Sequence, residues 1–150
     1  MKNLTLIWFV MAVFTFISCE DDTEKIIDSS LPNGTFTAQK GGTFVAQNGT
    51  PTAGTVDLGL DEAGSTFLKF NEDFMTELGT GTVTVYLSTS DTFTPNPGEG
   101  NPDLKLIGAI GSNGESYHKI MDTVESKFTH VILWCGSASI PFGNAALQSK

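Results

Sequence analysis

From residue 34 onward, apolar residues come in short runs broken by glycine, asparagine, proline and threonine. These runs predict strands at 34–38, 43–47, 53–60, 65–70, 82–88, 104–110, 116–120 and 129–135, because β-branched and aromatic residues suit a pleated, half-buried surface. Gly41-Gly42, Asn48-Gly49, Ala63-Gly64 and Asn113-Gly114 mark turns between them. The 82–88 run alternates, with Val83, Val85 and Leu87 on one face and Thr82, Thr84, Tyr86 and Ser88 on the other, so one of its faces belongs to a core. The 129–135 run is apolar on both faces, as in a central strand. Period two puts His130, Ile132 and Trp134 on one side of it and Val131, Leu133 and Cys135 on the other. If that strand is regular, His130 and Cys135 cannot ligate one metal together. Residues 71–78 predict one or two turns of helix, capped by Asn71 and closed by Gly79. The Pro- and Gly-rich 95–102 stretch predicts an exposed loop. No long amphipathic helix and no internal repeat is present. Short strands joined by such turns point to an all-β fold, an antiparallel β-sandwich or related barrel, preceded by a disordered N-terminal tether.

The amino terminus changes the picture. Lys2 is followed by an uncharged stretch, 4–17, shorter than the roughly 20 apolar residues a membrane span needs but suited to the apolar region of a signal peptide. It ends in Phe16-Ile17-Ser18-Cys19, which resembles the lipobox of bacterial lipoproteins, with Phe16 in place of the usual leucine. The organisation expected is a lipoprotein signal peptide at 1–18, an acidic flexible tether at 19–33 and a β domain at 34–150, with Cys19 acylated and holding the chain to a membrane. An ordinary secretory leader with an incidental cysteine is the competing reading. The run Glu20-Asp21-Asp22-Thr23-Glu24 is too polar to join a core. It resembles the acidic tag of surface lipoproteins in Bacteroidetes-type bacteria. The expected address is therefore the outer membrane, lipid-anchored and facing the cell surface, with the periplasmic face as the alternative.

Without its leader the chain has about 130 residues, enough for one domain with a core of its own. Seventeen acidic residues stand against eight lysines and no arginine, for a net charge of −9. Nucleic acid needs clustered cations, so nucleic-acid binding is excluded. Bidentate capture of phosphate by arginine is excluded too. With Cys19 acylated, Cys135 is the remaining cysteine, and an intramolecular disulfide cannot form. No C-x-x-C exists, so neither a dithiol redox pair nor a cysteine zinc site can be built.

Other chemistries find little to work with. The acids of 57–62, 71–73 and 95–103 have no ordered calcium-loop spacing, and no metal site is expected. There is no G-x-S-x-G and no H-x-x-x-H, which argues against a hydrolase. Cys135 is the candidate redox residue. It would act as a bare thiol or as a cofactor ligand, with His118, His130, Met75 or Met121 as conceivable second ligands to a haem. No C-x-x-C-H is present, so any haem would be held non-covalently. A free cysteine at the end of an apolar strand also packs well as a small hydrophobe. The alternative is thus a non-catalytic surface module that binds a protein or glycan through its loops, with Cys135 a core residue.

One set of motifs occurs in order: Val83-Thr84-Val85-Tyr86-Leu87-Ser88, Leu106-Ile107-Gly108-Ala109-Ile110, Gly111-Ser112-Asn113-Gly114, Val131-Ile132-Leu133-Trp134-Cys135 and Ser139-Ile140-Pro141-Phe142-Gly143-Asn144-Ala145. This set resembles the DM-thirteen, or electron transfer DM-thirteen, domain family over about residues 34–147. The resemblance implies an electron-transfer module, rather than an enzyme of the hydrolytic kind, in which Cys135 serves as a thiol or helps to bind a prosthetic group such as haem. It also implies a redox partner protein. Gly136-Ser137-Ala138 stands where the family pattern implies a basic residue and an aromatic, so the cation that would lower a thiol pKa is missing.

Overall fold

The computed structural model describes residues 28–95 and 100–150. The expected signal peptide, Cys19 and most of the tether lie outside the described residues, as does the middle of the 95–102 loop.

Ten strands run in chain order: β1 (Thr37–Thr43), β2 (Val45–Ala46), β3 (Thr55–Leu60), β4 (Thr66–Phe70), β5 (Val83–Ser88), β6 (Leu104–Ala109), β7 (Ser116–Ile120), β8 (His130–Cys135), β9 (Ile140–Ala146) and β10 (Gln148–Ser149). They form two five-stranded antiparallel sheets, ordered β10-β1-β3-β4-β7 and β2-β9-β8-β5-β6. The fold is a β-sandwich. Two strand pairs stitch the sheets together: β1 continues into β2 through Phe44, and β9 continues into β10 through Leu147.

The core lies between the sheets. Val56, Leu58, Leu68 and Phe70 face it from the first sheet, and Val83, Val85, Leu87, Val131, Leu133 and Cys135 from the second. The β5 alternation is as read from the sequence, and β8 is central, paired with β5 on one side and β9 on the other. Phe44, Phe70 and Phe74 close one end of the core: the Phe70 and Phe74 ring centroids are 4.3 Å apart, and those of Phe44 and Phe74 5.4 Å apart.

Three local expectations are corrected. The first strand is Thr37–Thr43 rather than 34–38, and Gly41-Gly42 lies inside it instead of turning the chain. The glycines are there because the β9–β10 strand crosses from one sheet to the other against β1. A Cβ on Gly42 would sit 2.5 Å from the Ala146 carbonyl oxygen. Residues 71–78 form no helix. Phe74 N–H donates to the Asn71 carbonyl in a turn, and Met75 then bridges to Ala53. Asn71 spends its side-chain amide on Thr55 and Asp57 instead of capping, and a helix this short is marginal unless packing favours it. Finally, β9 and β10 were not among the expected strands. Pro141, Gly143, Asn144 and Ala145 carry weak strand propensity, yet Gly143 is required where it stands. A Cβ there would meet Thr52 Cγ2 at 2.7 Å and the Val45 carbonyl at 2.9 Å.

The start of the domain is fastened by two carboxylates. Asp61 accepts the Asn33 and Ser65 N–H groups, and Glu62 accepts that of Thr35. These bonds hold both carboxyls below their usual range, the Asn33 N–H contributing most at Asp61 and the Thr35 N–H most at Glu62. A carboxyl whose pKa is lowered by folding contributes stability above its ordinary value and loses it as pH falls through the folded value. The attachment of residues 33–35 should therefore hold at neutral pH and loosen below about pH 4. Hydrogen exchange of the Asn33 and Thr35 amides as a function of pH measures this. Protection unchanged at pH 3 would contradict it.

Candidate functional site

Cys135 ends β8, opposite Val83 of β5 and Ile140 of β9. Its side chain is 0% exposed and free of any disulfide. The cover is thin, however. Residues 136–139 form the turn into β9 and are all exposed, as are Thr80, Gly81 and Thr82. The sulfur thus lies one layer below solvent, under a collar of small hydroxyl-bearing and glycine residues.

The collar is polar on its inner side. Ser137 Oγ lies 3.4 Å from Cys135 Sγ and Thr82 Oγ1 lies 3.6 Å from it. Thr82 Oγ1 donates to Ser137 Oγ at 2.8 Å and accepts the Ser137 N–H at 3.0 Å. That arrangement commits the Thr82 proton to Ser137 and leaves the Ser137 proton free to point at sulfur, a two-hydroxyl relay ending on Sγ. The turn itself is conformationally tight. Ser139 has φ of 56°, a left-handed conformation that is unfavourable for a residue with a Cβ.

Burial pushes the Cys135 thiol up. Hydrogen bonds from Ser137, from Thr80 and from the Ala138 N–H act the other way, with Thr82 behind Ser137 adding least, and the balance brings it down to about 6. A thiol in this state is largely thiolate at neutral pH, and the thiolate is the nucleophile. The cation missing from the sequence at 136–138 is replaced by hydroxyl and amide donors. This corrects the expectation drawn from the missing basic residue. Thr80, Thr82 and Ser137 are the site residues that the sequence reading missed. The only signal for them is the hydroxyl- and glycine-rich character of 79–82 and 136–139. Ser137→Ala removes the donor with the largest lowering effect, on an exposed residue, and should move the thiol back up toward its ordinary range. The pH dependence of Cys135 alkylation measures it, and an unmoved midpoint would show that Ser137 does not act on the sulfur.

The other candidate ligands are elsewhere. His130 is at the opposite end of β8 from Cys135 and on the opposite face, its Nδ1 2.9 Å from Thr129 Oγ1. His118 is on β7, at the rim of the other sheet. Its ring packs edge-on against Phe70 with centroids 5.5 Å apart, and burial lowers its pKa, which keeps it neutral. Met75 is 44% exposed and Met121 84% exposed. Among the described residues no three His, Cys, Asp or Glu side chains come together in a way that would hold a metal ion. Asp57 is paired with Lys150 at 2.6 Å, and Asp73 accepts both the N–H and the hydroxyl of Thr55. A haem needs an open face at its axial ligand. The Cys135 sulfur is closed over by its own turn, and neither histidine shares its surroundings. The residues present do not fit a haem held by Cys135.

Trp134, next to Cys135, points to the outer face of the second sheet. Phe93 stacks on it with ring centroids 4.0 Å apart and planes 18° from parallel, and Tyr86 meets Phe93 edge-on at 5.1 Å. This cluster covers Ile132, which is fully buried although it faces away from the core. The effect is to stiffen the middle of β8 from both sides, so that Cys135 is presented by a rigid strand and capped by a short turn.

The strand that carries the thiol and the segments that cap it fall within a wider match. The model of the electron transfer DM13 family covers residues 43–147. This chain belongs to the electron transfer DM13 family. The matched span takes in all of β2 to β9, the 79–82 and 136–139 collar and Cys135 itself. No curated protein and no solved structure matches the chain. The DM13 domain here is accordingly a β-sandwich whose single described thiol sits at one end, activated by neutral donors.

Proposed function

We propose that this DM13 domain moves electrons by monothiol–disulfide exchange at Cys135, as a lipoprotein held to the outer membrane through Cys19 and turned toward the cell surface. The observation that carries the reading is the Thr82–Ser137 hydroxyl pair beside the sulfur, with Ser137 Oγ 3.4 Å from Sγ, because a hydrogen bond donated to sulfur favours the thiolate. With one available thiol the domain cannot store electrons as an internal disulfide. The step it can perform is intermolecular. Because the sulfur is fully buried, the exposed 136–139 turn must first move aside; the Cys135 thiolate then attacks one sulfur of a partner disulfide, an S–S bond to Cys135 forms, the partner's S–S bond breaks, and the released thiolate takes a proton. A second, incoming thiolate then attacks the partner-derived sulfur of this mixed disulfide, forming a new disulfide and freeing Cys135. By formal count the incoming sulfur has lost one electron and the sulfur released first has gained one; a second thiol attacking the new disulfide, which releases the remaining partner sulfur as a thiolate, completes the two-electron transfer. The acidic tether and the lipobox-like Ser18-Cys19 support the address, since two acyl chains suffice for stable anchoring.

The test is to incubate the mature protein with oxidised glutathione and weigh it. One glutathione adduct on Cys135, removed by added thiol, is expected. Failure to form any adduct on the folded protein would sink the proposal. The alternative of a surface binding module draws on a different feature, the outer face of the second sheet. There Leu106 is 59% exposed and Val45 64% exposed in one cross-strand row with Tyr86, Ile132 and Asn144.

A further inference from the structure

We propose that the outer face of the second sheet is a self-association surface, on which a second copy of this chain docks about a two-fold axis parallel to β8. Cys135 plays no part in it.

In an antiparallel sandwich, the face of a sheet left to water carries polar side chains. The first sheet obeys this. Asp57 and Lys69 are cross-strand neighbours on its outer face, and Lys119 stands beside Phe67. The second sheet does not. Val45, Asn144, Ile132, Tyr86 and Leu106 form the middle row of its outer face. Lys105 is the one Lys, Asp or Glu in its five strands. It stands opposite Leu87, on the core side of β6, and pairs with Asp122 at 2.8 Å. A chain with a net charge of −9 thus keeps one broad face of strands free of charge.

Charge selects the occupant. In a two-fold contact the same patch serves both copies, so any charge on it is repeated across the interface. A chain this acidic repels its own copy at its charged surfaces, and here it meets no charge. The polar groups of the row, the Asn144 amide and the Tyr86 hydroxyl, both donate and accept, so each can pair with the other across such a contact.

The row is also balanced about its centre. Val45, 64% exposed, and Leu106, 59% exposed, stand at its two ends, each two strands from Ile132. A two-fold axis along β8 sets Val45 against the partner's Leu106 and Asn144 against the partner's Tyr86. The Phe93–Trp134 stack, with Tyr86 edge-on to Phe93, rises on the β5 side of that axis. The rotation lays it over the partner's β9, where Pro141 and Asn144 are shorter. The face is about 20 Å on a side, which is small for a protein interface, so the dimer is a reversible one.

Sedimentation of the mature chain tests this, with Cys19→Ser to remove the lipid and a reductant to keep thiols from crosslinking. Its mass should rise from monomer to dimer with concentration. Added salt should tighten the association by screening the repulsion between acidic copies. Leu106→Glu and Val45→Glu each place a carboxylate in the contact twice over, and each should weaken it by at least about tenfold. Met121→Glu puts the same charge on a methionine that is 84% exposed just after β7, off this face, and should leave the dimer intact. Cys135→Ser should dimerise as the parent does, so failure of the thiol reading would leave this one standing. A mass that stays monomeric at every concentration would overturn the proposal, whether or not the protein then binds a vesicle or a glycan. A dimer that survives both Leu106→Glu and Val45→Glu would overturn it too.

Discussion

Cys135→Ser should abolish glutathione adduct formation and every thiol-dependent electron transfer by the mature protein, while leaving the domain folded. Serine cannot form the S–S bond, so the loss is complete rather than partial. The fold should survive because the new hydroxyl lies among partners that suit it. Ser137 Oγ and Thr82 Oγ1 are within reach of the position that sulfur now occupies, so the buried oxygen is not left unpaired, and a change of about 1 kcal/mol is expected. Cys135→Ala would make a poorer control, since it leaves a void and strips the collar of its acceptor. The comparison is mass spectrometry for the adduct and a denaturant titration for stability. Retained transfer in Cys135→Ser would mean that the electrons take another route.

The largest loss of stability is expected at Phe70. Its ring is 0% exposed and lies against Phe44, Phe74 and His118, with centroids at 5.8, 4.3 and 5.5 Å. Truncation to alanine removes the ring from four-way packing at the end of the core, where the backbone of β4 is held by β3 and β7 and cannot move in to fill the space. Such Phe→Ala changes cost about 3–5 kcal/mol, a large part of the roughly 5–15 kcal/mol that keeps a domain folded. A second consequence follows from the same contact. His118 loses the ring that shields it, so its depressed pKa should return toward the ordinary imidazole value. The denaturant midpoint and the His118 titration by NMR measure both effects. A midpoint close to that of the unchanged protein would contradict the packing account.

The strands legible in the sequence are those whose pattern is set by burial alone. Val83, Val85 and Leu87 alternate because one face of β5 meets the core, and Val131, Ile132 and Leu133 are all apolar because β8 is covered above by the core and below by the Trp134–Phe93 stack. β9 was hidden for the opposite reason. Gly143 is dictated by Thr52 and Val45 folding over it, and Pro141 stands beside a register shift at Leu133–Trp134. Those are contacts between distant parts of the chain that mimic a loop in composition. Gly41-Gly42 deceived in the same way. At the site, the cysteine itself could be read from the sequence, but its activation could not. A cation near a thiol leaves a charged residue to notice, whereas Thr82 and Ser137 are 55 positions apart and are joined only by the pairing of β5 with β8.

The most direct test of the account is the pH dependence of Cys135 alkylation in the folded, mature protein. Reactivity should rise with a midpoint at about pH 6, because the hydroxyl and amide donors stabilise the thiolate beneath its cover. A midpoint in the ordinary thiol range would show a sulfur that the collar merely encloses, and Cys135 would then be a packing residue.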